Sequence, residues 1–336
     1  MQHFAYDEQV ASQPEAVRHA LAVADVPRLD PARPLVFTGI GTSLHAAQVA
    51  GYWVSALSEG RVCARVVEAH AYALRGHFHP DDQIVVISHR GTKRFPREVH
   101  ARAQQAGART LAVSGDGAAD PGGSVVLRTC ADEKASAHTV SYLSALAVLG
   151  RLVAKMLDTP AASRFNAALD AVPEAIAATL AQPAPMAVLP RLVNKEPLFL
   201  TGFGIDEITA REAALKLKEG TYLWAEGLSE EFALHGTPAV FEPRHAALVI
   251  VPDVDDGGRS AALRSLLATL HVETLTVGAG AFDLPFAPVD ELLRPFVAIV
   301  PLQRLVAELA RRRGSNPDTT RADVEPYKSA IGGVHL

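Results

Sequence analysis

The sequence predicts an α/β fold built from two tandem, doubly wound parallel-sheet units and a C-terminal tail. Three observations predict it. Short apolar strands alternate with helices along both halves of the chain, the pattern of parallel sheets covered by crossover helices. The pattern also restarts: PLVFTGIG at 34–41 matches PLFLTGFG at 197–204, an offset of 163 residues. At that offset QIVVI (83–87) lies opposite AALVI (246–250), and TLAVSG (110–115) lies opposite TLTVGA (274–279) one residue further on. An opening strand with its glycine turn, a buried middle strand and a late strand thus occur twice in order, which marks a duplication.

Composition agrees with a chain of two ordinary domains. It has 336 residues, 49% apolar and 21% charged, enough to bury a sizeable core. The net charge of -5 gives no electrostatic reason to expect nucleic acid or an anionic membrane as partner. Cys63 and Cys130 lack metal-type or CxxC spacing and read as reduced, buried thiols of a cytoplasmic protein. The start MQHFAYDEQV does not have the order of a signal peptide, and no apolar run reaches the length of a membrane span.

Taken in order, residues 8–24 predict an amphipathic lead-in helix starting near Gln13-Pro14, with Ser12 as N-cap. A strand at Leu35–Thr38 runs into the turn of Gly39 and Gly41, and a helix begins near Thr42-Ser43. Strands follow at 62–68 and Ile84–Ser88, then a polar loop and a helix to about Ala106. Further strands are expected at 110–115 and 124–129, then a long apolar helix from about Ser136 to Leu157. An alanine-rich helical stretch (161–181) and the linker-like QPAPM precede the second copy. The expected organisation is a lead-in helix (1–30), a first unit (31–160), a helical linker (161–190), a second unit (191–310) and a tail (311–336).

The chemistry concentrates in a few stretches. In REAALKLKEGTYLWAEGLSEEFALHG (211–236), Glu212, Lys216 and Glu219 fall at i, i+4 and i+7, on one helical stripe. Gly220 is expected to end that helix. Glu226, Glu230 and Glu231 read as a solvated acidic cluster before His235-Gly236. A carboxylate at a helix end, a lysine one turn back and a histidine downstream suit proton transfer. The same spacing equally describes a solvated helix whose Glu–Lys pair contributes ~0.3–0.5 kcal/mol. TGIGTS offers an anion site, with Thr42 and Ser43 adding hydroxyls at a helix N-terminus. The alternative is a structural turn in which one of them is the N-cap. It is not a dinucleotide fingerprint, because position 44 is Leu. In SHRGTK, the residues Ser88, Arg90, Thr92 and Lys93 can together hold a phosphate dianion at the carboxyl end of a strand. The alternative is a solvated basic loop, and His89 is either a donor there or a filler of the strand end. No HExxH or clustered Cys/His set is present, so neither a metal nor a redox cofactor is expected.

Two α/β copies, the GxGTS turn, the serine-led loop, EAALKLKE…LHG and the tail PLQRLVAELARRRGSNPD…YKSA together resemble the sugar isomerase (SIS) family. More narrowly, they resemble the isomerase half of glucosamine-6-phosphate synthase and its stand-alone relatives, from about residue 8 to 333. The resemblance implies two SIS units of flavodoxin-like or Rossmann-like three-layer form. It also implies a single phosphosugar site, built between the units and shared across a homodimer. It places Thr42, Ser43 and Ser88 on phosphate or sugar, and His89 at the position of a ligand-binding glutamine. Ser136 matches a serine at the start of a pocket-lining helix. Glu219 falls on the glutamate that moves a proton between C1 and C2, His235 on the histidine of ring opening, and Lys328 on a lysine near the open-chain carbonyl. Glu212 and Lys216 match supporting charges. The loop departs from the family's SxSGxT in having Arg90 and Lys93, which adds positive charge. No glutaminase segment is expected. The expected activity is deamination and isomerisation of an aminosugar 6-phosphate. Plain aldose–ketose isomerisation and deglycation of a sugar–amino-acid adduct are alternatives, and a non-catalytic phosphosugar sensor is an alternative of another class.

Overall fold

The computed structural model describes residues 2–22 and 26–334. The chain order is α1 (Ala5–Ala22), β1 (Leu35–Gly39), α2 (Thr42–Leu57), β2 (Ala64–Glu68), α3 (Ala69–Arg75), β3 (Gln83–Ile87), α4 (Arg94–Gln105), β4 (Arg109–Ser114), β5 (Val125–Arg128) and α5 (Val140–Met156). It continues with α6 (Pro160–Ala168), α7 (Val172–Leu180), α8 (Leu189–Leu192), β6 (Leu198–Gly202), α9 (Ile205–Thr221), β7 (Ala225–Ser229), α10 (Glu230–Leu234) and β8 (Ala246–Ile250). Last come α11 (Arg259–Thr269), β9 (Glu273–Ala279), β10 (Leu284–Phe286), α12 (Arg294–Arg313) and α13 (Tyr327–Gly332).

The strands form two five-stranded sheets, ordered β2-β1-β3-β4-β5 and β7-β6-β8-β9-β10. Every pairing is parallel, and the duplication inferred from sequence is visible in the matching order. Strands β1, β3, β6 and β8 are buried along their whole length, as parallel strands covered on both faces must be. The chain divides into two compact units. The first consists chiefly of residues 12–133 and 139–173; the second consists of residues 2–11, 134–138 and 174–331. Residues 134–138 and the start of α1 thus fold with the second unit, a partition that hydrophobic periodicity does not reveal.

The turn after the first strand of each sheet has one backbone solution. Gly41 has φ 56 and ψ -126, and Gly204 has φ 58 and ψ -123. The preceding glycines are equally constrained. A Cβ on Gly39 would lie 2.6 Å from the Ser43 carbonyl carbon, and one on Gly202 would lie 2.4 Å from that of Asp206. Only glycine allows the helix to start so close to the strand.

Of the two cysteines expected to be buried, Cys130 is, but Cys63 is exposed just before β2. Three expected boundaries are also corrected. Helix α1 starts at Ala5, and Pro14 lies inside it. The cap comes from 313 residues away, where the Asp318 carboxylate accepts from Ala5 N (2.8 Å) and also takes Tyr6 N (2.9 Å). The last predicted residues of this helix, 23 and 24, lie outside the described residues. The long apolar helix begins at Val140, not near Ser136, with Thr139 as its N-cap residue. Gly220 does not end the helix of Glu212 and Glu219. Its hydrogen faces Val306, whose methyl would be 2.4 Å from a Cβ, and the helix ends at Tyr222 in the left-handed region (φ 60).

His100 on α4 is 1% exposed, and neither ring nitrogen has a hydrogen-bond partner among the described residues. Burial pushes its pKa down to about 4, against a weaker opposing pull from Asp120. The unfolded chain therefore binds the proton more readily. The contribution of neutral His100 is intact above pH 6.5 and is lost as the pH falls towards 4, by about 3 kcal/mol in all. Urea unfolding at pH 7 and pH 4.5 should show His100→Leu losing much less stability between the two than the parent; equal losses would contradict this.

Candidate functional site

Helix α9 carries the densest chemistry. Its stripe is buried against α12 rather than solvated, so Glu212 is 0% and Lys216 1% exposed while Glu219 keeps 29%. Lys216 Nζ lies 3.6 Å from Glu212 Oε1 and forms an ion pair with Glu219 Oε2. One ammonium thus pairs with a fully buried carboxylate and a partly exposed one, in a setting where an isolated buried charge would be very costly. The arrangement leaves a single partly exposed carboxylate, Glu219, at the helix end.

Glu219 lines a cleft of about 500 Å³ together with Lys218, Tyr222, Trp224, Arg321 and Tyr327. Trp224 is 66% exposed, an unusual setting for a large indole. Lys328 is the residue after Tyr327 on α13 and is exposed. Among the other residues predicted for this half, Ser136 is half-buried, and its amide donates to Asp318 O (3.0 Å). His235 is exposed at the end of α10, with its amide bonded to Glu231 O (3.0 Å). The acidic cluster is only partly solvated. Glu226 and Glu231 are exposed, and Glu231 pairs with Arg259 at 2.8 Å. Glu230 is instead buried at the start of α10, because α10 packs this side against α11. Burial, then the neighbouring Asp256 carboxylate, pushes its pKa up to about 7.

The predicted anion-binding residues fall in the first unit. Thr42 and Ser43 open α2, whose N-cap Gly41 has no side chain to occupy the helix end. Ser88 is buried directly after β3, and a tight turn follows, with Gly91 N donating to Ser88 O (3.1 Å). Gly91 has φ 66, and a Cβ there would meet Ala119 O at 2.4 Å. Arg90 and Thr92 are exposed and Lys93 half-buried. Burial, then the nearby Arg90 charge, lowers the Lys93 pKa. The His89 ring packs on Gly115, where an added Cβ would lie 2.7 Å from its Cε1. The ring thus packs at the strand end, and burial chiefly holds its pKa below the usual value.

Two acids in this loop region were not singled out from sequence. Asp132 Oδ1 lies 3.7 Å from His89 Nε2 and 3.8 Å from Arg90 Nε, so it tempers the positive loop. Glu133 is buried and takes the N-terminus of α5. It accepts from the Thr139 amide and from Thr139 Oγ1 (2.8 Å), Val140 N (3.0 Å) and Ser141 N (3.1 Å). The only available signal was an acid six residues before Thr139, a spacing that belongs to no standard cap. The second unit places a carboxylate in the first turn of α9, held by an arginine. Asp206 occupies the place of Ser43 and is gripped by Arg294 at 2.7 Å, while Arg294 also donates to Val251 O (2.8 Å) and pairs with Asp253 (3.2 Å). Burial pushes the Asp206 pKa up to about 6, against the pull of Arg294.

No family model matches the chain. It is 28% identical over 345 residues to the isomerizing glutamine–fructose-6-phosphate aminotransferase of Thermococcus kodakarensis, a match that spans 95% of this chain and 57% of that protein. The chain thus spans about half the length of the curated relatives it matches. Among solved structures it is similar to the C-terminal domain of glucosamine-fructose-6-phosphate aminotransferase from Francisella tularensis (TM-score 0.81, 17% identity, 94% of this chain and 98% of that one). It is also similar to glucosamine-6-phosphate deaminase from Thermotoga maritima (TM-score 0.72, 17% identity, 94% of this chain and 97% of that one). The fold is that of tandem SIS units. The resemblance to the double-SIS family, and within it to the isomerase half of the aminotransferases, is borne out by both comparisons.

The Lys216 cluster makes a direct prediction. Lys216→Met removes the buried ammonium that pairs with Glu212 and Glu219 on α9 and should destabilise the protein by about 3–5 kcal/mol, read as a lower urea midpoint at pH 7. The double variant Glu212→Gln/Lys216→Met should recover part of the loss; no recovery would show that the two residues are not coupled.

Proposed function

We propose that the chain is a phosphosugar-processing enzyme, and that its reaction is deamination and isomerisation of an aminosugar 6-phosphate to the ketose phosphate and ammonia. The observation that carries this reading is Glu219, the one member of the α9 charge cluster that reaches solvent, at the rim of a cleft. Thr42, Ser43, Ser88, Arg90, Thr92 and Lys93 hold the phosphate through hydroxyls, amides and positive charge. The reaction runs on the open chain. His235 assists opening of the sugar ring. Glu219 takes the proton from C2 of the 2-amino aldose and returns it to C1, which requires one well-placed carboxylate for both steps. The enamine so formed becomes a C2 imine, water adds to C2, and ammonia leaves with the ketose phosphate behind. Lys328 polarises the open-chain carbonyl. Lys216, anchored by Glu212, holds the Glu219 carboxylate in place. The similarity to isomerising aminotransferases and to a glucosamine-6-phosphate deaminase supports this choice.

One observation favours a second reading, deglycation of a phosphosugar–amine adduct. The cleft beside Glu219 is walled by Tyr222, Trp224, Tyr327 and Ile331 and has room for a substituent on the departing nitrogen.

A panel of amino-, keto- and N-substituted sugar phosphates separates the readings, with ammonia, free amine and ketose assayed for the parent and for Glu219→Gln. Ammonia from an unsubstituted aminosugar phosphate supports the deaminase. Release of amine from a substituted one supports the deglycase. In either case Glu219→Gln should lower kcat by about 10²–10⁴-fold, the usual weight of a general acid–base group. Tight binding of phosphosugars without turnover of any would overturn the enzymatic reading in favour of a sensor.

A further inference from the structure

The segment that leaves α12 ties several loose ends of the second unit together. Gly314 turns the chain (φ 68), Arg313 Nε donates to Thr221 O (3.0 Å), and Ser315 Oγ donates to Gly220 O (2.8 Å). The last carbonyls of α9 are satisfied in this way. The Tyr222 hydroxyl then uses its full bonding capacity on the same segment. It donates to Asn316 O (3.2 Å) and accepts from Asn316 N (3.2 Å) and Arg321 N (3.1 Å). Pro317 and Asp318 offer their carbonyls to the amides of Ala137 (3.1 Å) and Ser136 (3.0 Å). Finally, the Arg321 guanidinium lies 4.4 Å from the ring centre of Tyr222 and 4.3 Å from that of Tyr327. One ring closes α9, and the other opens α13. Thr320 (φ 48) and Arg321 (φ 66) both adopt the left-handed region, which side chains other than glycine rarely take and which surrounding structure must hold.

We propose that Arg321 is a positioning residue: stacked between Tyr222 and Tyr327, it clasps α13 to the end of α9 and so sets Lys328 relative to Glu219. The planar, weakly hydrated guanidinium suits this task because it can give both faces to aromatic rings. Lysine cannot, since its ammonium is a compact and strongly hydrated point charge. The same tail meets two segments that carry predicted site residues, the α9 end with Glu219 and residues 134–138 with Ser136, and its own α13 carries Lys328. The inference rests on the reading of Glu219 and Lys328 as reacting groups, and its test has one arm that does not.

That arm is amide hydrogen exchange of residues 327–332 in the full chain without substrate. Arg321→Gln should raise exchange there by about tenfold, the loss expected for two exposed cation–π contacts. Arg321→Lys should restore only part of the protection, and the sheets should exchange as in the parent. The second arm is steady-state turnover of whichever phosphosugar the parent accepts. Arg321→Gln should lower kcat on the order of ten- to a hundredfold, as displaced catalytic groups do, with KM changed by less than about threefold because the phosphate-binding loops are untouched. If Arg321→Gln folds poorly, Tyr327→Leu removes the outer, exposed ring alone and should give the same pattern. Unchanged exchange in 327–332 would overturn the clasp. Raised exchange with unchanged kcat would overturn its positioning role. A parent that turns over no phosphosugar would sink the proposed function, while the exchange arm would still decide whether the clasp exists.

Discussion

The structure of the second unit depends on one buried ammonium. Lys216 stands between Glu212 and Glu219 on α9, a helix that packs against α12, and pairs with both carboxylates. Helical geometry makes the arrangement possible, since residues four and three apart share one face. Close packing makes it necessary. Gly220 lets Val306 approach at a distance no side chain would permit, so that α12 seals the stripe. The helix cannot then run on, and Tyr222 takes a left-handed turn that brings its hydroxyl to the tail. A single exposed carboxylate remains, held by a cation that water does not reach. That is a suitable design for a group that must leave and re-form its charge during a reaction.

Duplication followed by divergence accounts for the division of labour. Both units start their second element from the same glycine geometry, and a helix N-terminus attracts negative charge in each. In the first unit the helix opens with Thr42 and Ser43 and no side-chain cap. In the second unit it opens with Ile205 and Asp206, and the carboxylate is fixed by Arg294. The second helix end has its own internal anion and is fixed before any ligand arrives.

Much of the fold was legible in the sequence because it is written in buried strands and glycine turns. All five strands predicted for the first half are present, and the repeated PLVFTGIG and PLFLTGFG segments enter equivalent strands of two equally ordered sheets. What failed was local reading of features set by distant residues. The cap of α1 comes from Asp318, the space at Gly220 is filled by Val306, and the start of α5 is fixed by Glu133. Within the site, the spacing of Glu212, Lys216 and Glu219 was visible, but not their burial. The solvated reading of the same stripe fails because α12 covers it. Asp132, Arg321 and the two tyrosines that hold it were not visible at all, since each acts through a partner that no sequence period connects to it.

Solvent deuterium exchange at the carbon next to the carbonyl tests the central claim most directly, because it reports the proton transfer without needing the rest of the reaction. In deuterated buffer, the protein with an accepted sugar phosphate should incorporate deuterium at C1 or C2, followed by proton NMR. Glu219→Gln should bind the same sugar phosphate with similar affinity and lose the exchange by at least about a hundredfold. Exchange at the parent rate in Glu219→Gln would show that another group moves the proton and would contradict the account.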